Sequence, residues 1–203
     1  FFFHPEAAIR DPLWSRGLGD VYKRQILGRV IMSNEREGAV TLKGNPITLV
    51  GPELKVGDKA PDFVCNQGLM PEVGLADMGE SIKVFNVILS VDTPVCSAQT
   101  RKFNEAAAEF SGNLKIYTVS ADLPFAQKRF CGAEGIDKVE NISDYLGNSF
   151  GEAYGILIKD KGLLARAIFV ADKDNTLKHV EYVSEISEEP NYETALSVIK
   201  DLL

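Results

Sequence analysis

The cysteine at position 96 lies in a local sequence that favours an ionised sulfur. An apolar run ends at Leu89, and segment 90–96 is Ser-Val-Asp-Thr-Pro-Val-Cys. Thr93 is a favourable N-cap and Pro94 a favourable first helical residue, so Cys96 is predicted to be the third residue of a helix. Unpaired backbone N–H groups and the helix dipole would both stabilise a thiolate there. The thiolate is the nucleophilic form of cysteine, so this position is predicted to carry thiol chemistry.

A free cysteine is often no more than a small buried apolar residue, and that alternative applies to Cys96 as well. Its place where a strand passes into a helix favours the nucleophile, because sites form at the strand ends of α/β sheets. The Thr93 hydroxyl is predicted to reach the sulfur and to orient an incoming oxygen.

Arg166 lies within an apolar, strand-like run, residues 163–170. A cation in such surroundings needs an anionic partner. That partner is either a carboxylate in an ordinary salt bridge or the Cys96 thiolate, and we favour the thiolate.

Three other side chains have plainer interpretations. Cys65 follows a short apolar strand without a partner motif, so core packing is expected. His179 begins a predicted strand and is expected to be at the surface or satisfied internally. Asp92 is expected to cap the helix or to be solvated, with no catalytic role.

The composition excludes several classes of function. The chain has 203 residues, a net charge of −7 and a sequence pI of about 5.0. Nucleic acids and anionic membrane surfaces attract clustered Lys and Arg, so neither is an expected partner. No apolar run approaches the roughly 20 residues that a membrane span needs. The length suits one compact domain.

The cysteine and histidine content argues against other redox or metal sites. The three cysteines form no CxxC pair, and His4 and His179 are the two histidines. A disulfide framework and a zinc site are therefore not expected. No metal, haem or flavin is needed, since sulfur can carry the redox chemistry itself. A cytoplasmic location is expected.

The first 31 residues differ from the rest of the chain. They open with three Phe residues, lack an initiating Met, and show neither helical nor strand periodicity. Segment 20–25 looks like translated adapter sequence, and no signal-peptide pattern is present. We expect residues 1–31 to be a non-native or disordered extension before a start at Met32, and residues 32–203 to form one domain.

Alternating strand and helix patterns predict an α/β fold with a mixed sheet flanked by helices and an N-terminal β-hairpin. The hairpin is predicted around Gly44-Asn45-Pro46, with strands at 39–42 and 47–50. Further strands are predicted at 82–89, 114–119, 165–170 and 179–183. Helices are predicted at 94–110, 124–131 and 190–202.

Several motifs, in this order, resemble those of the peroxiredoxins. More narrowly, they resemble those of the bacterial thiol peroxidases, which are atypical two-cysteine peroxiredoxins. The motifs are Thr93-x-x-Cys96, Arg-Lys-Phe-Asn at 101–104, Ser-Ala-Asp-Leu-Pro-Phe-Ala-Gln at 120–127, Arg-Phe-Cys-Gly-Ala at 129–133 and Leu-Ala-Arg-Ala at 164–167. The resemblance extends over residues 40–203.

The resemblance implies a thioredoxin-like fold and a peroxidase of hydrogen peroxide and organic hydroperoxides, recycled by thioredoxin and usually homodimeric. Cys96 matches the peroxidatic cysteine and Thr93 its hydroxyl partner. Arg166 matches the arginine that stabilises the thiolate. Cys131 matches the resolving cysteine, which implies an intramolecular disulfide with Cys96. One position departs from the pattern: Leu89 occupies the place where many members have proline, so an altered pocket is expected.

Two other functions remain open at this stage. A dithiol–disulfide oxidoreductase of the same fold class would need a CxxC pair, which this chain lacks. A redox sensor that passes oxidation to a partner protein would need the same reactive Cys96.

Overall fold

A computed structural model describes residues 34–110 and 112–203, so the expectation for residues 1–31 lies outside the described part of the chain. The strands are β1 (Glu35–Leu42), β2 (Asn45–Val50), β3 (Cys65–Asn66), β4 (Glu72–Val73), β5 (Ile82–Val87), β6 (Leu114–Ser120), β7 (Glu140–Ser143), β8 (Leu157–Ile158), β9 (Leu163–Leu164), β10 (Ala167–Ala171) and β11 (Leu177–Tyr182). The helices are α1 (Pro94–Glu109), α2 (Pro124–Glu134), α3 (Ser149–Ala153) and α4 (Tyr192–Leu202), with a 3₁₀ helix at Leu75–Met78.

The main sheet is mixed, and β5 is one of its interior strands. Its strand order in the described residues is β11-β10-β5-β6-β7-β3-β4. Strand β6 runs parallel to both β5 and β7, whereas β10 runs antiparallel to β5 and β11. A second sheet has the order β1-β2-β8-β9. The predicted α/β fold with a mixed sheet and an N-terminal hairpin is confirmed.

Strand β5 is buried on both faces, as its nearly all-apolar sequence predicts. Phe85 and Val87 point into a cluster on one side, where several aromatic rings pack together. Ile82 and Val84 point into the cluster on the other side, which also contains residues of α1, α2 and α4. Asn86 shares the face of Ile82 and Val84, because side chains alternate along a strand. A polar side chain therefore lies in the middle of the helix-covered face.

The hairpin turn is shorter than predicted: it ends at Gly44, two residues before the predicted end at Pro46. Leu42 pairs with Asn45, so the turn consists of Lys43 and Gly44, with φ values of 52° and 76°. Two consecutive residues with positive φ are the requirement of the tight turn that best matches the twist of paired strands. Pro46 consequently lies inside β2 and not in the turn.

The predicted helices occur with small shifts at their ends. Helix α2 extends beyond residue 131 to Glu134, where Gly135 closes it in the left-handed conformation with φ 67°. Helix α4 begins at Tyr192 and not at 190, because the Asn191 side chain accepts a hydrogen bond from the Thr194 amide at 3.1 Å and caps it. No helix of the described residues has both the length and the apolarity to cross a bilayer.

Candidate active site

Cys96 lies in the first turn of α1, directly beyond the carboxyl end of β5. Pro94 is the first helical residue and Thr93 the N-cap, with extended backbone angles (φ −105°, ψ 140°). The thiol-bearing residue is fully buried, with 0% of its surface exposed. The predicted placement of this sulfur at a helix N-terminus is therefore confirmed.

The Thr93 side chain does not cap the helix, which corrects one expectation. Its hydroxyl donates to the Ser90 carbonyl at 3.2 Å, the same oxygen that accepts from the Thr93 amide at 3.2 Å. The proline that follows restricts Thr93 to an extended conformation. In that conformation the hydroxyl donates its hydrogen bond to the Ser90 carbonyl at the start of the turn. The oxygen lone pairs remain available to accept a hydrogen bond.

Asp122 anchors the loop that leads into α1. Its two carboxylate oxygens accept from the Ser90 hydroxyl and from the Val91 amide, each at 2.8 Å. This aspartate belongs to the connection between β6 and α2, so it joins the loops that follow two neighbouring parallel strands. The sequence analysis included it only as part of a motif and gave it no role.

Arg166 lies immediately before β10 and is 2% exposed. Each of its three guanidinium nitrogens donates to a different acceptor. Nε donates to the Ile186 carbonyl at 3.1 Å, Nη1 donates to Gln99 Oε1, and Nη2 donates to Cys96 Sγ at 3.3 Å. The fold thus brings together two predicted site residues that are 70 positions apart.

No carboxylate within residues 34–110 and 112–203 contacts Arg166 directly. The ion pairs within 4 Å between described residues do not include Arg166. Glu189 interacts with the charge of Arg166 only at longer range and forms its direct ion pair with Lys102. A buried cation needs a compensating anion, and the acceptors that contact Arg166 among the described residues are the Ile186 carbonyl, the Gln99 amide oxygen and the Cys96 sulfur.

A buried polar row behind Arg166 was missed by the sequence analysis. Gln99 Nε2 donates to Asn86 Oδ1 at 2.6 Å, and Asn86 Nδ2 donates to Thr118 Oγ1 at 3.0 Å. All three side chains are 0% exposed. A signal was present: Gln99 falls on the apolar face of α1, and Asn86 interrupts the apolar run of β5.

Cys131 is a half-buried free thiol near the end of α2. Its sulfur accepts a hydrogen bond from Asn141 Nδ2 on β7 at 2.8 Å. Burial raises the pKa of the Cys131 thiol, and the Asn141 bond opposes that rise. Cys96 is a free thiol as well, so each of the two sulfurs has its own protein partner in this state.

Two ion pairs fasten the Cys96 segment to α2. Asp92 lies 3.3 Å from Arg129, and Arg101 lies 2.6 Å from Glu134. All four side chains are substantially exposed, so each pair contributes at most about 1 kcal/mol. Asp92 makes a surface ion pair and does not cap α1.

Cys65 is part of the core, as expected. It is 1% exposed, and its sulfur lies 3.7 Å from the Asp144 carboxylate. Burial, reinforced by that carboxylate, raises the pKa of the Cys65 thiol far above its usual range. This cysteine is therefore a neutral thiol.

His179 and Leu89 also occupy defined places. His179 is 8% exposed and therefore not at the surface; its Nε2 lies 3.5 Å from the Glu181 carboxylate, without a regular hydrogen bond among the described residues. Leu89 is partly buried and packs against both hydrophobic clusters, one on each side of the sheet.

The chain is similar to known proteins over nearly all of its described length. The profile of the family described as Redoxin matches residues 55–196. A thiol peroxidase of Bacillus subtilis is 53% identical over 164 residues, which are 81% of this chain and 98% of that protein. A thiol peroxidase of Streptococcus pneumoniae is 50% identical over 163 residues, or 80% of this chain and 99% of that protein.

A solved structure supports the same relationship. The crystal structure of a peroxiredoxin-like protein from Aquifex aeolicus superposes with a TM-score of 0.76 at 43% sequence identity, covering 83% of this chain and 99% of that one. The matched regions cover nearly the full length of each of these relatives. The chain belongs to the redoxin family and, within it, to the thiol peroxidases.

Proposed function

We propose that the protein is a thiol-specific peroxidase in which Cys96 is the peroxidatic cysteine. The observation that carries this proposal is the 3.3 Å contact between Arg166 Nη2 and Cys96 Sγ at the start of α1. A buried guanidinium without a carboxylate partner among the described residues favours the ionised sulfur. Membership in the thiol peroxidases supports peroxide as the substrate.

In the first step the Cys96 thiolate attacks the terminal oxygen of a hydroperoxide. An S–O bond forms as the O–O bond breaks, and the departing alkoxide or hydroxide takes up a proton to become alcohol or water. Cys96 is left as a sulfenic acid. Arg166 and the backbone N–H groups of the first turn of α1 stabilise the charge that moves onto oxygen.

Thr93 is proposed to bind the peroxide through the lone pairs of its hydroxyl oxygen. The hydroxyl already donates to Ser90, so it is oriented as an acceptor for the protonated oxygen of ROOH. The sulfur is fully buried, so substrate entry requires a small opening of the loop before α1.

Cys131 is proposed as the resolving cysteine. Its thiolate attacks the sulfenic sulfur of Cys96, the S–O bond breaks, and the hydroxide leaves as water after protonation. The product is an intramolecular Cys96–Cys131 disulfide. A thioredoxin-type dithiol then reduces this bond by exchange and is itself oxidised.

A homodimer in the cytoplasm is part of the proposal. Leu123 and Phe125, on either side of Pro124 at the start of α2, are 54% and 64% exposed. Exposed apolar side chains in one place are typical of a contact surface. The cytoplasm supplies the dithiol reductants that the cycle needs. Sedimentation at micromolar concentration would detect the dimer, and a monomer at all concentrations would exclude it.

The decisive experiment is peroxide consumption coupled to thioredoxin and its reductase, for wild type and three cysteine variants. Cys96→Ser is expected to show no turnover. Cys131→Ser is expected to react once and then stall, because the sulfenic acid has no partner. Cys65→Ala is the matched control and is expected to turn over at the wild-type rate. Full activity of Cys96→Ser would refute the proposal.

A peptide map tests the resolving role of Cys131 directly. After one equivalent of peroxide, nonreducing digestion is expected to yield a peptide pair joined through Cys96 and Cys131. A Cys96 peptide linked to any other cysteine would reject Cys131 as the resolving residue.

A further inference from the structure

Asn86 is a polar residue at a buried strand position whose neighbours on the same face are apolar. It lies in the interior strand β5 with 0% exposure, on the face that packs under the helices. Leaving a buried polar group unpaired costs about 1–3 kcal/mol, whereas replacing both partners of a buried hydrogen bond by apolar groups of the same shape can be nearly neutral. Apolar side chains at both position 86 and position 99 would therefore also be compatible with stability, so stability alone does not explain this pair of amides.

The hydrogen bonds from Arg166 outward all run in one direction. A guanidinium has only donors, so the acceptor end of the Gln99 amide must face it. The donor end of Gln99 then faces Asn86 Oδ1 at 2.6 Å. The donor end of Asn86 in turn faces Thr118 Oγ1 at 3.0 Å. Each amide thus fixes which end of the next one points toward the arginine.

Without Asn86 the Gln99 amide would lose this constraint. Its Nε2 would retain only the Val87 carbonyl at 3.4 Å, a long contact. The Gln99 amide would then be held mainly at its acceptor end, and its side chain could shift relative to the guanidinium. The Ile186 carbonyl would then be the one fixed protein acceptor of Arg166. The position of Nη2 relative to the Cys96 sulfur would be less well defined.

We propose that Asn86 is a positioning residue of the peroxidatic site, acting through Gln99 to hold Arg166 against the Cys96 sulfur. Asn86 contacts neither the sulfur nor the guanidinium, so its effect is indirect. The inference rests on the proposed function, since it concerns the same sulfur. It adds that the ionisation of Cys96 depends on a residue in the sheet below the helix.

The test compares Asn86→Leu with Val84→Ala and with wild type. Leucine matches the shape of asparagine and removes both hydrogen bonds. Val84 lies two residues earlier on the same face of β5 and is equally buried, so Val84→Ala perturbs packing without touching the polar row. The readout is the pH dependence of Cys96 alkylation by iodoacetamide, resolved by peptide mass spectrometry. Fluorescence-monitored urea unfolding is measured in parallel.

Asn86→Leu is expected to raise the pH midpoint of Cys96 alkylation by about one unit, with a lower rate of peroxide reduction at neutral pH. Val84→Ala is expected to lower stability and leave that midpoint unchanged. An unchanged midpoint in folded Asn86→Leu overturns the inference, because a merely structural amide would affect only unfolding.

A double variant guards against a single variant that does not fold. Asn86→Leu combined with Gln99→Leu leaves no unpaired amide between the two positions. Since Asn86 acts through Gln99, the double variant is expected to have the same midpoint as Gln99→Leu alone. A further shift in the double variant would show that Asn86 acts by another route and would reject the inference. A wild-type Cys96 that titrates like an ordinary thiol would instead refute the proposed function.

Discussion

The side-chain amide of Asn141 donates a hydrogen bond to the Cys131 sulfur at 2.8 Å, from a strand to the helix that covers it. Burial raises the pKa of this thiol, and the Asn141 bond is the contact that counteracts the rise. The thiolate is the attacking form in disulfide formation. With Cys131 as the proposed resolving cysteine, this pair would affect how fast a sulfenic acid at Cys96 is resolved.

Replacement of Asn141 by leucine is expected to slow the resolving step. Loss of the donor leaves burial unopposed, so the pKa of Cys131 rises further and less thiolate is present at neutral pH. Rapid-quench mass spectrometry should show longer-lived sulfenic acid at Cys96, with the difference from wild type shrinking as the pH rises. The first oxidation of Cys96 should proceed at the wild-type rate. Equal disulfide formation rates at neutral pH would contradict the prediction.

Replacement of Arg166 is expected to impair the reaction with peroxide. Arg166→Leu removes the charge and all three donors, and a loss of about 100-fold or more in the rate of the first oxidation follows. Arg166→Lys keeps the charge but cannot reach three separate acceptors with a planar fork, so its rate should lie between the other two. Stopped-flow measurement of sulfenic acid formation checks the order. A lysine variant as fast as wild type would show that charge alone suffices.

Replacement of Cys65 by alanine is expected to change stability and not catalysis. The thiol is buried and paired with Asp144, so its loss leaves a small cavity that costs about 1 kcal/mol. Urea unfolding measures the loss, and coupled peroxide turnover should remain unchanged. Native wild-type protein should also resist alkylation at this position, because burial keeps the sulfur neutral. Rapid alkylation of Cys65 would contradict the assignment.

Glu185 is expected to make the stability depend on pH in the acid range. Its carboxylate accepts from the Ser187 hydroxyl and from the amides of Lys43 and Gly44 in the hairpin turn, and these bonds hold its pKa well below the usual range. A carboxyl with a lowered folded-state pKa stabilises the fold above its unfolded value of about 4.3, and that contribution disappears as the pH falls further.

The matched variant for this prediction is Glu185→Gln, which keeps an acceptor but cannot ionise. Its urea midpoint should lie below that of wild type at pH 6, and the difference should shrink as the pH is lowered from 5 to 3. A difference that stays constant over this range would show that the charge of Glu185 does not contribute.

Local sequence predicted the elements well where periodicity and end signals agreed. Residues 94–110 have helical spacing and a Thr-Pro start, and the helix found there is Pro94–Glu109. Strand β7 and helix α3 were not predicted, because four- and five-residue elements show too little periodicity to stand out. The interpretation of Arg166 came from its apolar neighbours and from the resemblance, and the structure supplies the contact with Cys96.

The polar row and the Thr93 hydroxyl show what local sequence could not give. Asn86 and Gln99 meet across a strand and a helix, so their pairing depends on the tertiary fold. The hydroxyl of Thr93 had two possible partners, the helix amides and the preceding turn. The backbone angles of the four-residue turn 90–93 direct the hydroxyl to the Ser90 carbonyl.

Both thiols of the proposed cycle lie inside regular helices: Cys96 is the third residue of α1, and Cys131 is the eighth residue of the 11-residue α2. Two weak ion pairs hold these segments together. In the proposed cycle, a sulfenic acid at Cys96 waits until the helices fray before Cys131 attacks it. During that delay another peroxide molecule would carry Cys96 on to the irreversible sulfinic acid. Under this proposal the rate of helix fraying sets the dose of peroxide that inactivates the enzyme.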